Sequence, residues 1–297
     1  MRFLKVLFVS SRPLSWVNTA FPFAVAYLMT TRTIDPVFVI GTLFFLIPYN
    51  VAMYGINDVF DYESDLRNPR KGGVEGAVLA QKYHAPMLWS VAIITVPFVV
   101  YLIAVGNPLS WLVLAISLFA VVAYSAKRLR FKEIPILDSI TSSTHFVSPA
   151  IYGLVLAGAT FTPALWLVLG AFFLWGTASH AFGAVQDIKA DREAQLSSVA
   201  TALGARLTTR LAILEYALAG VLLAACAGLG WQQSWPVFYG AFFALPYIGM
   251  CWPYRNLSDD NCERANGGWR FFLAINFVVG FGVSLLLITR WTDVLIA

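Results

Sequence analysis

The chain has 297 residues, 59% of them hydrophobic and only 12% charged, with a formal net charge of +4 and a mean hydropathy of +0.72. A soluble domain is about half apolar and a quarter charged, so this composition excludes one and defines an integral membrane protein. Cys226, Cys251 and Cys262, with His84, His145 and His180, are too scattered for a disulfide framework or a structural zinc site.

Hydropathy predicts an all-α bundle of nine transmembrane helices, a single domain over 1–297 with two cap loops. Arg2, Lys5 and Arg12 precede an apolar run over about 14–31. The run is nearly long enough to span and no small-residue cleavage site follows, so it reads as the first helix rather than a signal peptide. The second helix runs from about 37 into an acidic stretch at 57–65. A polar loop at about 66–85, with Gly72, Gly73 and Gly76, forms the first cap. Helices follow at about 86–105 and 109–126, then a basic loop from Lys127 to Pro135. The fifth helix, about 138–158, opens on a polar run from Asp138 to His145. The sixth, about 164–186, leads into a second acidic stretch and a second cap loop at about 188–208. The last three helices fall at about 209–230, 236–252 and 271–289.

Of the 20 Lys and Arg, all but Arg32 and Arg290 fall on one side of this topology. The positive-inside rule puts that side, with the N-terminus and both acidic stretches, in the cytoplasm and the C-terminus outside, in the plasma membrane. The pI near 9.0 follows from this placement and calls for no nucleic-acid partner.

The acidic stretches carry the chemistry. Asn57-Asp58-V-F-Asp61-Y-E-S-Asp65 packs Asp58, Asp61, Glu63 and Asp65 into a chain otherwise poor in charge. At about 100° per helical residue, Asp61 lies near −60° and Asp65 near −20° of Asp58, with Asn57 at the border and Glu63 on another side near +140°. Such like charges repel by roughly 0.2–0.5 kcal/mol per pair, so a stripe of them is expected where a cation neutralises it. Asp187 and Asp191 form a second i,i+4 pair, about 40° apart. Each D-x-x-x-D unit ends an apolar helix and is closely followed by an arginine, Arg67 or Arg192. Carboxylates on a stiff element suit Mg²⁺, which takes oxygen ligands and leaves places for substrate phosphates. The expected metal ligands are Asp58, Asp61, Asp65, Asp187 and Asp191. With basic loops and many aromatics around them, they fit an isoprenyl diphosphate: metal and cationic side chains take up the charge on the leaving diphosphate, and aromatic faces shelter the allylic cation.

The two motifs resemble the signature motifs of the UbiA-type intramembrane prenyltransferases over essentially the whole chain. The resemblance implies nine helices, Mg²⁺-dependent prenyl transfer, and diphosphate contacts from Asn57, Arg70, Tyr124 and one of Lys127 or Arg128. The stretches 11–18 (S-R-P-L-S-W-V-N), 48–76 and 141–146 (T-S-S-T-H-F) are similar to the bacterial lycopene elongases within that family. That similarity, and nothing in spacing or composition, implies dimethylallyl transfer to the ends of lycopene, giving C45 and C50 carotenoids. Quinone, chlorophyll or haem precursors are the alternative acceptors. A secondary transporter would place its carboxylates near the bilayer midplane on broken helices, whereas here both clusters sit at helix ends on one face. His145 and His180 fit either structural hydrogen bonding or a base for the product cation; released diphosphate could also accept that proton.

Overall fold

The computed structural model describes residues 2–62, 66, 78–229 and 231–296; they are helical and contain no strand. They fall into two compact units, Met1–Lys132 with Thr144–Ala159, and Glu133–Ser143 with Thr160–Ala297.

The first unit holds α1 (Arg2–Ser10), α2 (Val17–Thr31), α3 (Pro36–Leu46), α4 (Pro48–Phe60), α5 (His84–Ala104), α6 (Pro108–Ser125) and the later part of α7 (Leu137–Leu156). Asp35 caps α3, accepting from the Phe38 N–H at 2.8 Å, and Asn107 closes a capping box on α6. The second predicted helix is broken at Pro48, whose ring removes an N–H and crowds the preceding turn. The carbonyls released there find side-chain donors. Thr19 Oγ1 donates to the Phe45 carbonyl at 2.6 Å, and Asn50 Nδ2 reaches Phe45 O at 2.9 Å and Leu46 O at 3.1 Å. Asn50 is fully buried, where unsatisfied N–H groups would be costly, and its Nδ2 is spent on these carbonyls. An aromatic core lies beside the break: Phe45 meets Phe44, Phe23 and Tyr49 at centroid distances of 4.9, 5.2 and 5.2 Å. Tyr49, Ser117 and Ser148 form a hydroxyl ladder, at 3.2 and 2.6 Å, that ties α4, α6 and α7 together.

The second unit holds the start of α7, α8 (Pro163–Val185), α9 (Ile188–Glu193), α10 (Val199–Ala225), α11 (Trp231–Gly240), α12 (Ala244–Cys251) and α13 (Asn266–Ile296). Its core packs Phe182, Val185, Tyr216, Tyr247 and Phe272. Small residues on α8 and α10, among them Ala178 and Ala212, are fully buried, as close helix approach in lipid requires. Ser179 bonds Tyr216 at 2.9 Å, and Tyr247 donates to Asn276 Oδ1 at 2.7 Å. The α10 backbone kinks at Gly204 (φ 78), and the Asp259 carboxylate accepts from the freed Ala205 N–H at 2.7 Å. The left-handed φ and the carboxylate 3.0 Å from where a Cβ would stand both require glycine there.

Six helices among the described residues are long and apolar enough to cross a membrane: Pro36–Phe60, Gln81–Ala104, Pro108–Ser125, Pro163–Val185, Val199–Leu229 and Asp259–Thr289. The other expected spans are helical but shorter, more polar or interrupted. α2 has 15 residues, α7 opens on its polar run, and a 3₁₀ turn at Ala241–Phe243 divides α11 from α12. Two further stretches differ from the hydropathy reading. The basic N-terminal segment forms α1, which packs on α4. The second cap region, 188–208, is largely helix: α9 and the first turns of α10 occupy it, because Ser198 closes a capping box with Thr201 and starts α10 ten residues early. The first cap region lies mostly outside the described residues.

Candidate functional site

The first acidic motif ends α4. Asp61 is the C-cap (φ −97, ψ 1), and its N–H still donates to the Asn57 carbonyl at 2.9 Å, so Asp58 and Asp61 keep the helical phase expected of them. Both are buried, Asp58 completely. A carboxylate in that setting needs a cation or several donors. Arg12 Nη2 donates to Asp58 Oδ1 at 3.1 Å, and its guanidinium lies 4.3 Å over the Tyr54 ring. Arg12 itself holds a left-handed backbone, φ 50 and ψ 70, which costs a β-carbon residue roughly 1–2 kcal/mol. The charge contact and the ring contact offset that strain. Asp61 pairs with Lys132 through Oδ1 and accepts from Asn57 Nδ2 at 2.6 Å through Oδ2. Asn57 also donates to Ser125 Oγ at 2.9 Å, so the last turn of α6 fixes its amide.

The second motif joins α8 to α9. Asp187 precedes α9, and the Asp191 N–H donates to its carbonyl at 2.8 Å, so one helical turn separates the half-buried carboxylates. The cations nearest in sequence turn elsewhere: Lys189 pairs with Glu263 at 3.2 Å, and Arg192 pairs with Asp259 at 2.8 Å and donates to Thr201 O at 3.0 Å. Asn266 Nδ2 donates to Gln186 Oε1 at 2.6 Å and steadies the turn before Asp187.

Other sequence-derived candidates are distributed unevenly. Asp65 and Arg70, with Glu63, lie outside the described residues. Lys127 and Arg128 are exposed on the loop after α6, and the Tyr124 ring packs edge-on against His145 at 5.4 Å. Sequence reasoning missed Arg12 and Lys132 as partners of the first motif. Both were visible only as topology-setting charges, 46 and 71 positions from the aspartates they meet. It also missed Asp138, which is fully buried, accepts from the Val199 N–H at 2.7 Å and lies 3.4 Å from His180 Nε2.

Among the described residues, no group of three or more His, Cys, Asp or Glu is placed to hold a metal. Two carboxylates per motif nevertheless fit Mg²⁺ that arrives with a diphosphate. That ion prefers hard oxygen donors and is commonly bound through one or two carboxylates, with phosphate oxygens and water completing its shell.

Solved structures share this fold. A UbiA homolog from Archaeoglobus fulgidus bound to DMAPP and Mg²⁺ is 19% identical, with a TM-score of 0.65 over 96% of this chain and 99% of that one. The apo UbiA homolog of Aeropyrum pernix K1 is 18% identical, with a TM-score of 0.67 over 91% and 97%. The class is therefore a helical intramembrane protein of the UbiA fold. The model of the UbiA prenyltransferase family matches residues 19–278, and the chain belongs to that family. A lycopene elongase/hydratase of Corynebacterium glutamicum is 52% identical over 97% of this chain and 98% of its own length. The C(50) beta-cyclic carotenoids biosynthesis protein LbtBC of Dietzia sp. (strain CQ4) is 58% identical over 95% of this chain. The match spans only 64% of the Dietzia protein's length.

Proposed function

We propose that this protein transfers a dimethylallyl group from dimethylallyl diphosphate to each end of lycopene, in a Mg²⁺-dependent reaction giving C45 and then C50 carotenoids. The acceptor rests on likeness to the Corynebacterium and Dietzia proteins, whose names describe lycopene elongation and C50 carotenoid synthesis. The chemistry rests on one observation: two buried aspartates in helical phase, each met by a basic side chain from a distant segment.

In this reading Asp58, Asp61 and Asp65, with Asp187 and Asp191, hold Mg²⁺–diphosphate, and Asn57 keeps Asp61 oriented. Bound Mg²⁺ supplies Lewis-acid stabilisation of the departing diphosphate. Arg12 and Lys132 sit beside the carboxylates and add positive charge where the leaving group develops negative charge. Arg70, Tyr124 and Lys127 or Arg128 complete the diphosphate contacts. The hydrocarbon wall of the bundle excludes water while the allylic cation lives. Lycopene has no polar handle, and its length is comparable to the ~30 Å hydrocarbon core of a bilayer. One end therefore enters while the rest stays in lipid, and the second end reacts after release and re-entry. Nine spans, with N-terminus and acidic motifs cytoplasmic and C-terminus outside, complete the reading; reporter fusions within 68–80 and after Ala297 should report opposite sides of the plasma membrane.

The direct test incubates membranes containing the protein with Mg²⁺, dimethylallyl diphosphate, and either lycopene or a hydroxybenzoate. Mass spectrometry reads which acceptor gains five carbons. Prenylated hydroxybenzoate beside untouched lycopene would overturn the acceptor and leave prenyl transfer standing. No diphosphate release with either acceptor would sink the transferase reading.

A further inference from the structure

Among the described residues, Glu215 is the one acidic side chain in the interior of the six apolar spans; Asp58, Asp259, Asp260 and Glu263 lie within two turns of a span's end. A carboxyl held at that depth is costly, and this one belongs to neither acidic motif. We propose that Glu215 is the polar floor of the donor pocket and sets the preference for a five-carbon donor over longer isoprenyl diphosphates.

Two contacts between α8 and α10 fix its depth. The Glu215 carboxyl is hydrogen-bonded to the Thr177 side chain, and the next residue, Tyr216, bonds Ser179 at 2.9 Å. Thr177 and Ser179 are almost fully buried, and the Thr177 hydroxyl also donates to the Leu174 carbonyl at 3.0 Å. Thr177 precedes Asp187 by ten residues, so Glu215 stands about 15 Å along α8 from the second acidic motif.

One hydroxyl does not satisfy a carboxyl. Glu215 Oε2 is buried without a hydrogen-bond partner, although the residue as a whole is only half-buried. The helix pair does not depend on it: the Ser179–Tyr216 bond and the small buried residues Ala178 and Ala212 hold α8 to α10. A hydrocarbon tail laid over the exposed part of the side chain would complete the burial of a carboxyl that already lacks a partner. That is unfavourable whether the group is charged or neutral.

The donor's dimensions match this depth. With Mg²⁺–diphosphate at the second motif, carboxylate, metal ion and diphosphate in series take up most of the distance to Glu215. The isoprenyl tail runs from them toward the hydrocarbon level, where the carboxyl stands. A five-carbon tail ends short of it. A ten-carbon tail is twice as long and would have to lie across it.

The inference rests on the proposed prenyl transfer. Diphosphate release is measured from dimethylallyl, geranyl and farnesyl diphosphates, each with Mg²⁺ and lycopene, in membranes carrying the wild-type protein, Glu215→Met or Glu215→Gln. The wild-type rate should drop at least about 10-fold between the five- and ten-carbon donors, with little further loss at fifteen carbons. Met keeps the length of Glu and removes its polarity, so the ratio of kcat/KM for dimethylallyl over geranyl diphosphate should fall about 10-fold or more. Gln is still polar and should keep the wild-type ratio. A carboxyl that only braces α10 against Thr177 would slow all donors alike in the Met variant, and that unchanged ratio overturns the proposal. So does a Gln variant as permissive as Met. A wild-type rate that declines evenly with chain length, or not at all, also overturns it, and that result needs no variant to accumulate. No diphosphate release from any donor would overturn the transfer reading together with this inference, whereas release from dimethylallyl diphosphate with an unchanged ratio in the Met variant overturns the inference alone.

Discussion

The two acidic motifs share the spacing D-x-x-x-D and a position at a helix end, yet their surroundings differ. In the first, Asp58 and Asp61 are buried and meet cations brought from far along the chain, Arg12 and Lys132. In the second, Asp187 and Asp191 are half-buried, and the neighbouring Lys189 and Arg192 serve Glu263 and Asp259 instead. The first motif is thus part of a charge-balanced core. The second lies beside ion pairs that its chain neighbours make, Lys189–Glu263 and Arg192–Asp259. Equal spacing in sequence therefore does not give equal roles in stability.

That contrast can be broken by mutation. The largest effect is expected from Asp58→Ala, which leaves the half-buried Arg12 guanidinium without its anion. Breaking a fully buried pair from one side costs about 3–5 kcal/mol, and the partial exposure of Arg12 makes that an upper bound here; membrane accumulation and turnover should both fall. Asp187→Ala should abolish turnover, by about 10²–10³-fold or more, while the protein still accumulates. Equal loss of accumulation for the two variants, measured by immunoblot of membranes, would erase the distinction. A smaller effect is expected at Asn50, away from both motifs. Asn50→Leu removes the donors to Phe45 O and Leu46 O and should lower stability by about 1–3 kcal/mol, read as a drop in Tm in detergent. Unchanged Tm would mean that the break at Pro48 needs no side-chain support. Within the basic loop, Lys132→Ala should slow diphosphate release more than Lys127→Ala or Arg128→Ala. The reverse order would leave Lys127 or Arg128 as the loop's main diphosphate contact and Lys132 as a partner of Asp61 alone. Glu63→Ala should be the mildest, within about 2-fold, because the sequence spacing puts it off the expected stripe.

Much of the fold could be read from hydropathy, because apolar runs and their Gly, Pro and Asn breaks are local signals. α5, α6 and α8 begin and end within a few residues of expectation for that reason. The early start of α10 was hidden because polar residues in 197–209 look like loop, although Ser198 and Thr201 cap a helix there. α1 was read as a basic flank, since nine residues are too few to span a bilayer and the hydropathy reading looked for spans. For the site, helical phase correctly paired Asp58 with Asp61. The partners could not be read. Arg12 meets Asp58 across 46 residues, and Asp138 caps Val199 across 61, and no one-dimensional pattern encodes such meetings. Asp138 looked like one more polar residue at the head of a helix.

The reach of Lys132 to Asp61 also orders the making of the protein. Arg12 emerges from the ribosome before Asp58, so the first carboxylate to be buried has its counter-charge waiting. Asp61 must wait until α5 and α6 have been synthesised and Lys132 follows them. The first motif therefore closes only when six helical segments exist, and the pairing of Asp61 with Lys132 makes its completion depend on the whole span from α4 to the basic loop.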